Sequence, residues 1–277
     1  MTPPATATAP ATATLAPTAV IVARHGERHD YNCILAGTNW VATATRPWDP
    51  PLSDHGHDQG RKLGLRIQQV LTQENLSPLT AVYSSPLLRC RQTAVAAAST
   101  SSQSKVRVEL GLVESLNEDW YRSWAMPNSN GEWGFQEKDH HKGIPIDVTT
   151  LKEPAKRSVL DLLQWKEHSI SGMDEEYESQ SRIPSSYSWG TFESAQHQRD
   201  RMLYVMECLA KMHPGETILL VSHGGPVTHL FEQLTDEGWW VHGEATYASF
   251  SLYSLDIVQN NWKPRIVNES NYLEEHS

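Results

Sequence analysis

The sequence has few cysteines, no excess of basic residues and no long hydrophobic run. Its three cysteines among 277 residues are widely spaced, which argues against a disulfide framework or a zinc ribbon and favours a reducing compartment. The 23 basic residues are outnumbered by 33 acidic ones, so direct nucleic-acid binding is not expected at a net charge of -10. No run approaches the roughly 18 apolar residues that a membrane helix requires. These absences predict an intracellular protein, cytoplasmic or alternatively nuclear, that does not engage a membrane.

The chain divides into a low-complexity start and one long region with a mixed pattern. Residues 1–18 are a Pro/Ala/Thr tract without the basic start of a signal peptide, and are predicted to be a disordered leader. The apolar fraction of 39% can build a substantial core, so residues 19–277 are predicted to form a single domain. Residues 116–190 show no steady period and are predicted to be an irregular insertion with a helix near residues 159–168.

Short apolar runs alternate with helix-length segments along this domain. Strands are predicted at residues 19–23, 80–83, 106–110, 217–221 and 248–255. Helices are predicted at residues 53–71, 87–98, 192–212 and 227–234. Strands separated by helices favour an α/β fold in which a mostly parallel sheet is covered on both faces.

Three of the predicted strands end in residues that suit phosphate chemistry. Arg24, His25 and Arg28 follow the first strand. Arg89 follows the second strand and His223 follows the strand at residues 217–221. Because the carboxyl ends of parallel strands face one crevice, we expect these side chains to meet. Their positive groups would repel one another unless an anion lay between them, and a phosphate dianion is a natural candidate.

The residue types indicate what each group could do with a phosphate ester. A neutral imidazole is nucleophilic, and nearby guanidinium groups lower its pKa, so His25 is predicted to attack phosphorus. Gly26, which has no Cβ, is predicted to let the backbone approach the phosphate closely. A carboxyl group is also needed to protonate the leaving oxygen and later to activate water. The predicted phosphate-binding residues are Arg24, Arg28, Arg89 and His223, and His223 is also predicted to be catalytic as a donor to the phosphoryl oxygens.

Four motifs in this order resemble the histidine phosphatase superfamily, also called phosphoglycerate-mutase-like. They are the Arg-His-Gly triplet at residues 24–26, the start of a helix at residues 52–59, SPLLRCRQTA at residues 85–94 and VSHG at residues 221–224. The resemblance spans about residues 19–255. It implies a three-layer α/β/α sandwich, a phosphohistidine intermediate on the motif histidine, and no metal or other cofactor.

Smaller features indicate the branch of the superfamily. His223-Gly224 resembles the mutase branch, branch 1, because the acid phosphatase and phytase branch usually has His-Asp there. Within that branch Arg28 and the segment at residues 106–114 most resemble a group of phosphatase domains. These are the domains of the suppressor-of-T-cell-receptor-signalling proteins, insect ecdysteroid-phosphate phosphatase and a yeast transcription factor IIIC tau subunit. In that group the glutamate matching Glu114 is the acid/base.

The sequence therefore predicts a phosphatase, a metal-independent phosphomonoester hydrolase with His25 as nucleophile and Glu114 as general acid/base. The predicted partner is a phosphorylated small molecule or phosphopeptide, with protein-tyrosine and aryl or steroid phosphates as options, and a homodimer is compatible with the sequence. A phosphoglycerate-type mutase is an alternative that Arg28 and Tyr31 disfavour, because they differ from the mutase pattern. A non-catalytic subunit or scaffold is a second alternative, disfavoured by the complete set of site residues.

Overall fold

A computed structural model of the chain describes residues 17–38, 40, 43–46, 49–101, 105–115, 165–181 and 193–274. Its strands are β1 (Ala19–Arg24), β2 (Leu79–Ser84), β3 (Val106–Val108), β4 (Thr217–Ser222), β5 (Phe250–Asp256) and β6 (Asn261–Glu269). Its helices are α1 (His29–Leu35), α2 (Asp54–Gln73), α3 (Leu88–Ala98), α4 (Ala195–Lys211), α5 (Gly224–Thr235) and α6 (Trp239–His242). Short 3₁₀ turns follow at Leu110–Leu112 and Asn271–Leu273.

The strands form one sheet in the order β3-β2-β4-β1-β5-β6. β1 pairs with β4 in parallel, as do β4 with β2 and β2 with β3. β5 and β6 complete the sheet as antiparallel strands. The predicted mostly parallel sheet is confirmed, and the carboxyl ends of four strands share one edge.

Side chains of β1 point alternately into two separate cores, as the period of a strand requires. Ile21 belongs to the core that contains Leu63 of α2. Val22 belongs to the core that contains Met202 of α4 and Leu230 of α5. Helices therefore cover both faces of the sheet, and the predicted three-layer α/β/α sandwich is confirmed.

The helix predicted at residues 53–71 is α2, which runs from Asp54 to Gln73. Ser53 caps it, because its Oγ accepts a hydrogen bond of 2.9 Å from the backbone N–H of Gly56. The apolar residues Leu63, Ile67 and Val70 are buried on one stripe of the helix.

Three predicted boundaries differ from the structure for local reasons. The strand at residues 106–110 ends at Val108, because the chain turns into 3₁₀ geometry at Leu110–Leu112. The last predicted strand begins only at Phe250, since Ala248 has a φ of 57° that no strand accommodates. Helix α5 begins at Gly224, before residue 227, because Pro226 lies in the first turn, where a missing N–H costs no hydrogen bond.

Three of these helices and strands were not predicted: α1, α6 and β6. β6 contains Pro264 and is mostly exposed or half-buried, so it carries little alternation of apolar residues. It lies at the edge of the sheet, where proline is tolerated because one side of the strand has no neighbour among the described strands.

The predicted insertion falls largely outside the described residues, as do residues 1–16 of the predicted leader. Of the helix predicted near residues 159–168, only the last four residues are described, and they form a 3₁₀ turn. The backbone N–H of Val106 donates to the carbonyl of Gly172 at 2.8 Å, and Met173 enters the core, so this part of the insertion packs against β3. Thr18 is buried, with its carbonyl accepting from Leu255 at 2.9 Å. No helix in the described ranges is long and apolar enough to cross a membrane.

Candidate active site

The ends of β1 and β4 bring the two motif histidines together. Arg24 and Ser222 are partners in the parallel register, and the backbone N–H of His25 donates to the carbonyl of Ser222 at 3.0 Å. His25 and His223 therefore follow adjacent strand ends, and their ring centroids are 5.3 Å apart at an interplanar angle of 68°. The loop after β2 joins them, because Ser85 N–H donates to the carbonyl of Val221 on β4 at 2.9 Å.

The hydrogen bonds of His25 define its tautomer. Nδ1 lies 2.7 Å from the carbonyl oxygen of Gly26, which can only accept, so Nδ1 carries the proton. Arg89 Nε donates to Nε2 at 3.2 Å, so Nε2 presents a lone pair. Burial, and then the charges of Arg89 and Arg24, hold the pKa of His25 well below its ordinary value of 6.5. The buried ring is a neutral imidazole with a nucleophilic Nε2.

Arg89 connects the two histidines from the start of α3. It is 2% exposed, and its Nη2 lies 3.2 Å from Nδ1 of His223, which must accept because a guanidinium only donates. The Nε2 of a neutral His223 then donates to Ser85 Oγ at 2.8 Å. Burial lowers the pKa of His223 well below 6.5, followed by the charge of Arg89, the repulsion that a protonated His25 would exert and the charge of Arg24. Both rings are thus neutral and face the same guanidinium.

Arg24 contributes a second guanidinium, placed between a loop and an aromatic ring. Its Nη1 donates to the carbonyl of Ala245 at 2.7 Å, and its Cζ lies 4.3 Å from the ring centroid of Tyr247. Within the part of the chain that the structure describes, the buried Nε of Arg24 has no hydrogen-bond partner. A buried donor without a partner is costly, so an anionic oxygen at this position would stabilise the site.

Arg28 is buried, and a carboxylate offsets its charge. It forms a bidentate pair with Asp30, with Nε to Oδ1 at 3.0 Å and Nη2 to Oδ2 at 2.6 Å. Its Cζ also lies 4.5 Å from the ring centroid of Tyr31. The charge of Arg28 still contributes, as the weakest cause, to the lowered pKa of His25. The structure therefore places Arg28 near the site but ties it to Asp30.

Glu114 lies beside His223 after the 3₁₀ turn. Its Oε2 is 4.0 Å from Nδ1 of His223, and its Oε1 accepts a hydrogen bond of 2.9 Å from Ser115 N–H. Burial raises the pKa of Glu114 above its ordinary 4.5, although Ser115, Arg89 and Arg24 act in the opposite direction. A raised pKa extends the pH range over which this carboxyl group is protonated and able to donate a proton.

The structure gives a steric reason for a glycine at the end of the Arg-His-Gly triplet that differs from the predicted one. A Cβ on Gly26 would lie 2.5 Å from the carbonyl oxygen of Gly56, at the start of α2. The close approach in this structure is therefore between two backbone segments. Thr93 supports the same loop, since its Oγ1 accepts from Gly26 N–H at 2.9 Å and donates to the carbonyl of Arg89 at 2.8 Å.

Sequence reasoning missed Tyr247, whose ring centroid is 5.7 Å from that of His25. It reaches the site because β5 runs antiparallel beside β1, so that Ala248 N–H donates to the carbonyl of His25 at 3.1 Å. The sequence signal that could have indicated Tyr247 was its position just before a predicted strand. The six predicted site residues and Tyr247 thus gather at one edge of the sheet: the predicted residues are Arg24, His25, Arg28, Arg89, Glu114 and His223.

This geometry agrees with a family comparison. The family model of the histidine phosphatase superfamily (branch 1) matches residues 20–159 and 160–270. The chain belongs to the histidine phosphatase superfamily. The predicted superfamily and branch are confirmed, while no curated protein matches the chain.

Solved structures share the fold of this histidine phosphatase. Bacillus stearothermophilus YhfR is 17% identical with a TM-score of 0.55, covering 92% of this chain and 99% of its own. An Entamoeba histolytica phosphoserine phosphatase variant in complex with phosphoserine is 16% identical, with a TM-score of 0.51 and the same coverage, 92% and 99%. The Bombix mori ecdysone phosphate phosphatase in complex with tungstate is 16% identical, with a TM-score of 0.51 and coverage of 91% and 95%.

Proposed function

We propose that this histidine phosphatase hydrolyses phosphomonoesters through a phosphohistidine on His25, without a metal ion, with Glu114 as the general acid/base. The observation that carries the proposal is the buried, neutral imidazole of His25, whose Nε2 lone pair is oriented by the carbonyl of Gly26 and lies beside Arg89. Arginines supply the positive charge that stabilises a transferring phosphoryl group.

In the first step Nε2 of His25 attacks phosphorus and the bond from phosphorus to the ester oxygen breaks. Arg89, which donates to Nε2 in the free site at 3.2 Å, turns its donors to the phosphoryl oxygens. Protonated Glu114 gives its proton to the leaving oxygen, so that a neutral alcohol departs. The Nδ1 proton of His25 stays on its hydrogen bond to the Gly26 carbonyl, which stabilises the positive charge of the phosphorylated ring.

In the second step the ionised Glu114 takes a proton from water, whose oxygen attacks phosphorus. The bond from phosphorus to Nε2 of His25 breaks, which restores the neutral imidazole and the protonated Glu114. Inorganic phosphate is the product. Both steps use the same carboxyl group, first as acid and then as base.

The phosphate is held by Arg24, Arg89 and His223. Arg24 offers its buried Nε and Arg89 its fork of donors. A bound dianion offsets the arginine charges and favours protonation of His223, whose Nδ1 then becomes a donor. Arg28 supports the site at longer range, because Asp30 holds its guanidinium.

The substrate class that the site favours is an aryl phosphate, including phosphotyrosine in a peptide. Tyr247 places an aromatic ring 5.7 Å from the ring of His25, beside the nucleophile that the ester would approach. Tyr31 adds a second ring beside Arg28. Aromatic groups pack well against such rings. Of the similar structures, one is a phosphoserine phosphatase with phosphoserine and one acts on ecdysone phosphate, so phosphate esters of varied alcohols suit this fold.

The test is hydrolysis of p-nitrophenyl phosphate by the full chain in the presence of a chelator. We expect turnover with release of inorganic phosphate, and a loss of at least about 10³-fold in His25→Ala, because the nucleophile is removed. His197→Ala, an exposed histidine on α4, is the matched control and should keep full activity. Turnover that needs a metal ion, or that survives in His25→Ala, rejects the proposal. Transfer of phosphate to a second alcohol instead of water would indicate a mutase.

A further inference from the structure

Arg201 of α4 holds the backbone that leads into Glu114. Its Nη1 donates to the carbonyl of Gly111 at 2.5 Å and to the carbonyl of Val113 at 2.9 Å. The carbonyl of Val113 belongs to the peptide group that carries the backbone nitrogen of Glu114. The last turn before the acid/base is therefore fixed by a side chain about 90 residues away along the chain.

Arg201 is itself fixed by a buried carboxylate. Its Nε donates to Oε1 of Glu193 at 2.8 Å and its Nη2 donates to Oε2 at 2.6 Å. The two side chains are 6% and 7% exposed. All three nitrogens of the guanidinium are thus engaged, in a fork geometry that an ammonium group cannot reproduce.

We propose that Arg201 and Glu193 are positioning residues for the acid/base reaction of Glu114. The inference rests on the proposed function. The carboxyl of Glu114 must reach both the leaving oxygen and the attacking water, and a displacement of about 1 Å can cost about 10²-fold in rate. The peptide group held by Arg201 and the hydrogen bond from Ser115 N–H to Oε1 together set that position.

The alternative is that Arg201 only stabilises the fold. The two roles differ in how the loss of rate depends on the leaving group. A p-nitrophenolate leaves with little help from a proton, whereas the phenolate of phenyl phosphate is more basic and needs the general acid. A displaced Glu114 therefore slows phenyl phosphate more than p-nitrophenyl phosphate, whereas a smaller folded fraction slows both equally.

The experiment compares kcat and KM for the two esters in Arg201→Gln, Arg201→Lys and Glu193→Gln. We expect Arg201→Gln to lose about 10- to 10²-fold in kcat/KM for phenyl phosphate and clearly less for p-nitrophenyl phosphate, because kcat/KM reports the step in which the ester bond breaks. Arg201→Lys should retain part of the rate. Glu193→Gln, which keeps Arg201, should show the same selectivity more weakly and serves if Arg201→Gln folds poorly. Arg199→Gln is the matched control, because Arg199 lies on the same helix but pairs with Glu232 at 3.3 Å.

Glu114→Gln provides the reference for these variants. If Glu114→Gln discriminates between the two esters but Arg201→Gln and Glu193→Gln slow both equally or not at all, the positioning role is wrong and the proposed function stands. If Glu114→Gln does not discriminate either, the acid/base assignment fails and the inference fails with it.

Discussion

At the scale of single residues, the same burial displaces the pKa values of His25 and Glu114 in opposite directions. Burial, with Arg89 and Arg24, keeps the pKa of His25 well below 6.5. Burial raises the pKa of Glu114 above 4.5. Both shifts favour the forms that the reaction needs, a neutral imidazole on His25 and a protonated carboxyl group on Glu114.

This arrangement predicts the pH dependence of kcat/KM. Activity should fall as the pH rises through the pKa of Glu114, because the carboxyl group then has no proton to donate. Glu114→Gln should lose about 10²-fold or more in rate and should also lose this alkaline limb. The measurement is the pH profile of both proteins with phenyl phosphate, whose own ionisation affects both equally. An alkaline limb that is unchanged in Glu114→Gln would assign it to another group.

The two arginines Arg89 and Arg28 should differ in their effect on catalysis. Arg89→Gln removes a guanidinium that faces both histidine rings, so we expect kcat/KM to fall by about 10²- to 10³-fold. Arg28→Gln should cost less, because Asp30 already offsets the charge of Arg28. Steady-state kinetics and inhibition by inorganic phosphate measure both effects. A larger loss in Arg28→Gln than in Arg89→Gln would reverse the roles given to these residues.

At the scale of elements, Glu109 connects residues 177–181 of the predicted insertion to the main sheet by hydrogen bonds. It is fully buried after β3, and its carboxylate accepts from the backbone N–H groups of Gln180 at 3.0 Å and Ser181 at 2.8 Å. The hydroxyl of Tyr177 donates to it at 3.0 Å, and those of Ser179 and Ser181 also donate. The carboxylate of Glu109 thus accepts five hydrogen bonds from this segment.

Replacing Glu109 should therefore destabilise the fold. Glu109→Ala removes the common acceptor of these donors and leaves the buried N–H of Ser181 unsatisfied, and we expect a loss of about 3 kcal/mol in the free energy of unfolding. That loss corresponds to a decrease of about 6 to 12 °C in Tm. Thermal unfolding followed by circular dichroism measures it, with the exposed Glu176→Ala in the same segment as control. Equal Tm values for the two variants would show that the network contributes nothing.

The elements that the sequence predicted well are those whose signal is local. Ser53 caps α2, and the stripe that includes Leu63 and Ile67 marks its buried face. The edge strand β6 has no such pattern, because its side chains are largely exposed and Pro264 is an unusual strand residue. Periodicity reports burial, so an element with little burial leaves little trace in the sequence.

The candidate site was predictable to the extent that its residues follow predicted strands. His25 and His223 could be placed together because the ends of parallel strands share one edge. The sequence could not place Asp30, Tyr247 and Arg201 in the site. Their contacts depend on the paths of loops, on the register of β5 and on how α4 packs against the sheet. The contact of Arg201 with Val113, for example, joins two elements that no local pattern connects.

At the scale of the whole molecule, the sheet order explains how distant segments build one centre. β4 lies between β1 and β2, so residues near 25, 89 and 223 meet although about 200 residues separate the first from the last. The antiparallel β5 then adds Tyr247 on the other side of β1. The predicted homodimer and cytoplasmic location stay predictions.

The central claim is that His25 carries the phosphoryl group during turnover. Rapid-quench trapping with a ³²P-labelled aryl phosphate, followed by peptide mapping, tests it most directly. We predict a phosphopeptide that contains residue 25 and whose label is lost in acid but retained in alkali, and no such label in His25→Ala. Acid-stable label on a serine, label on a cysteine, or turnover with no covalent intermediate would contradict the account.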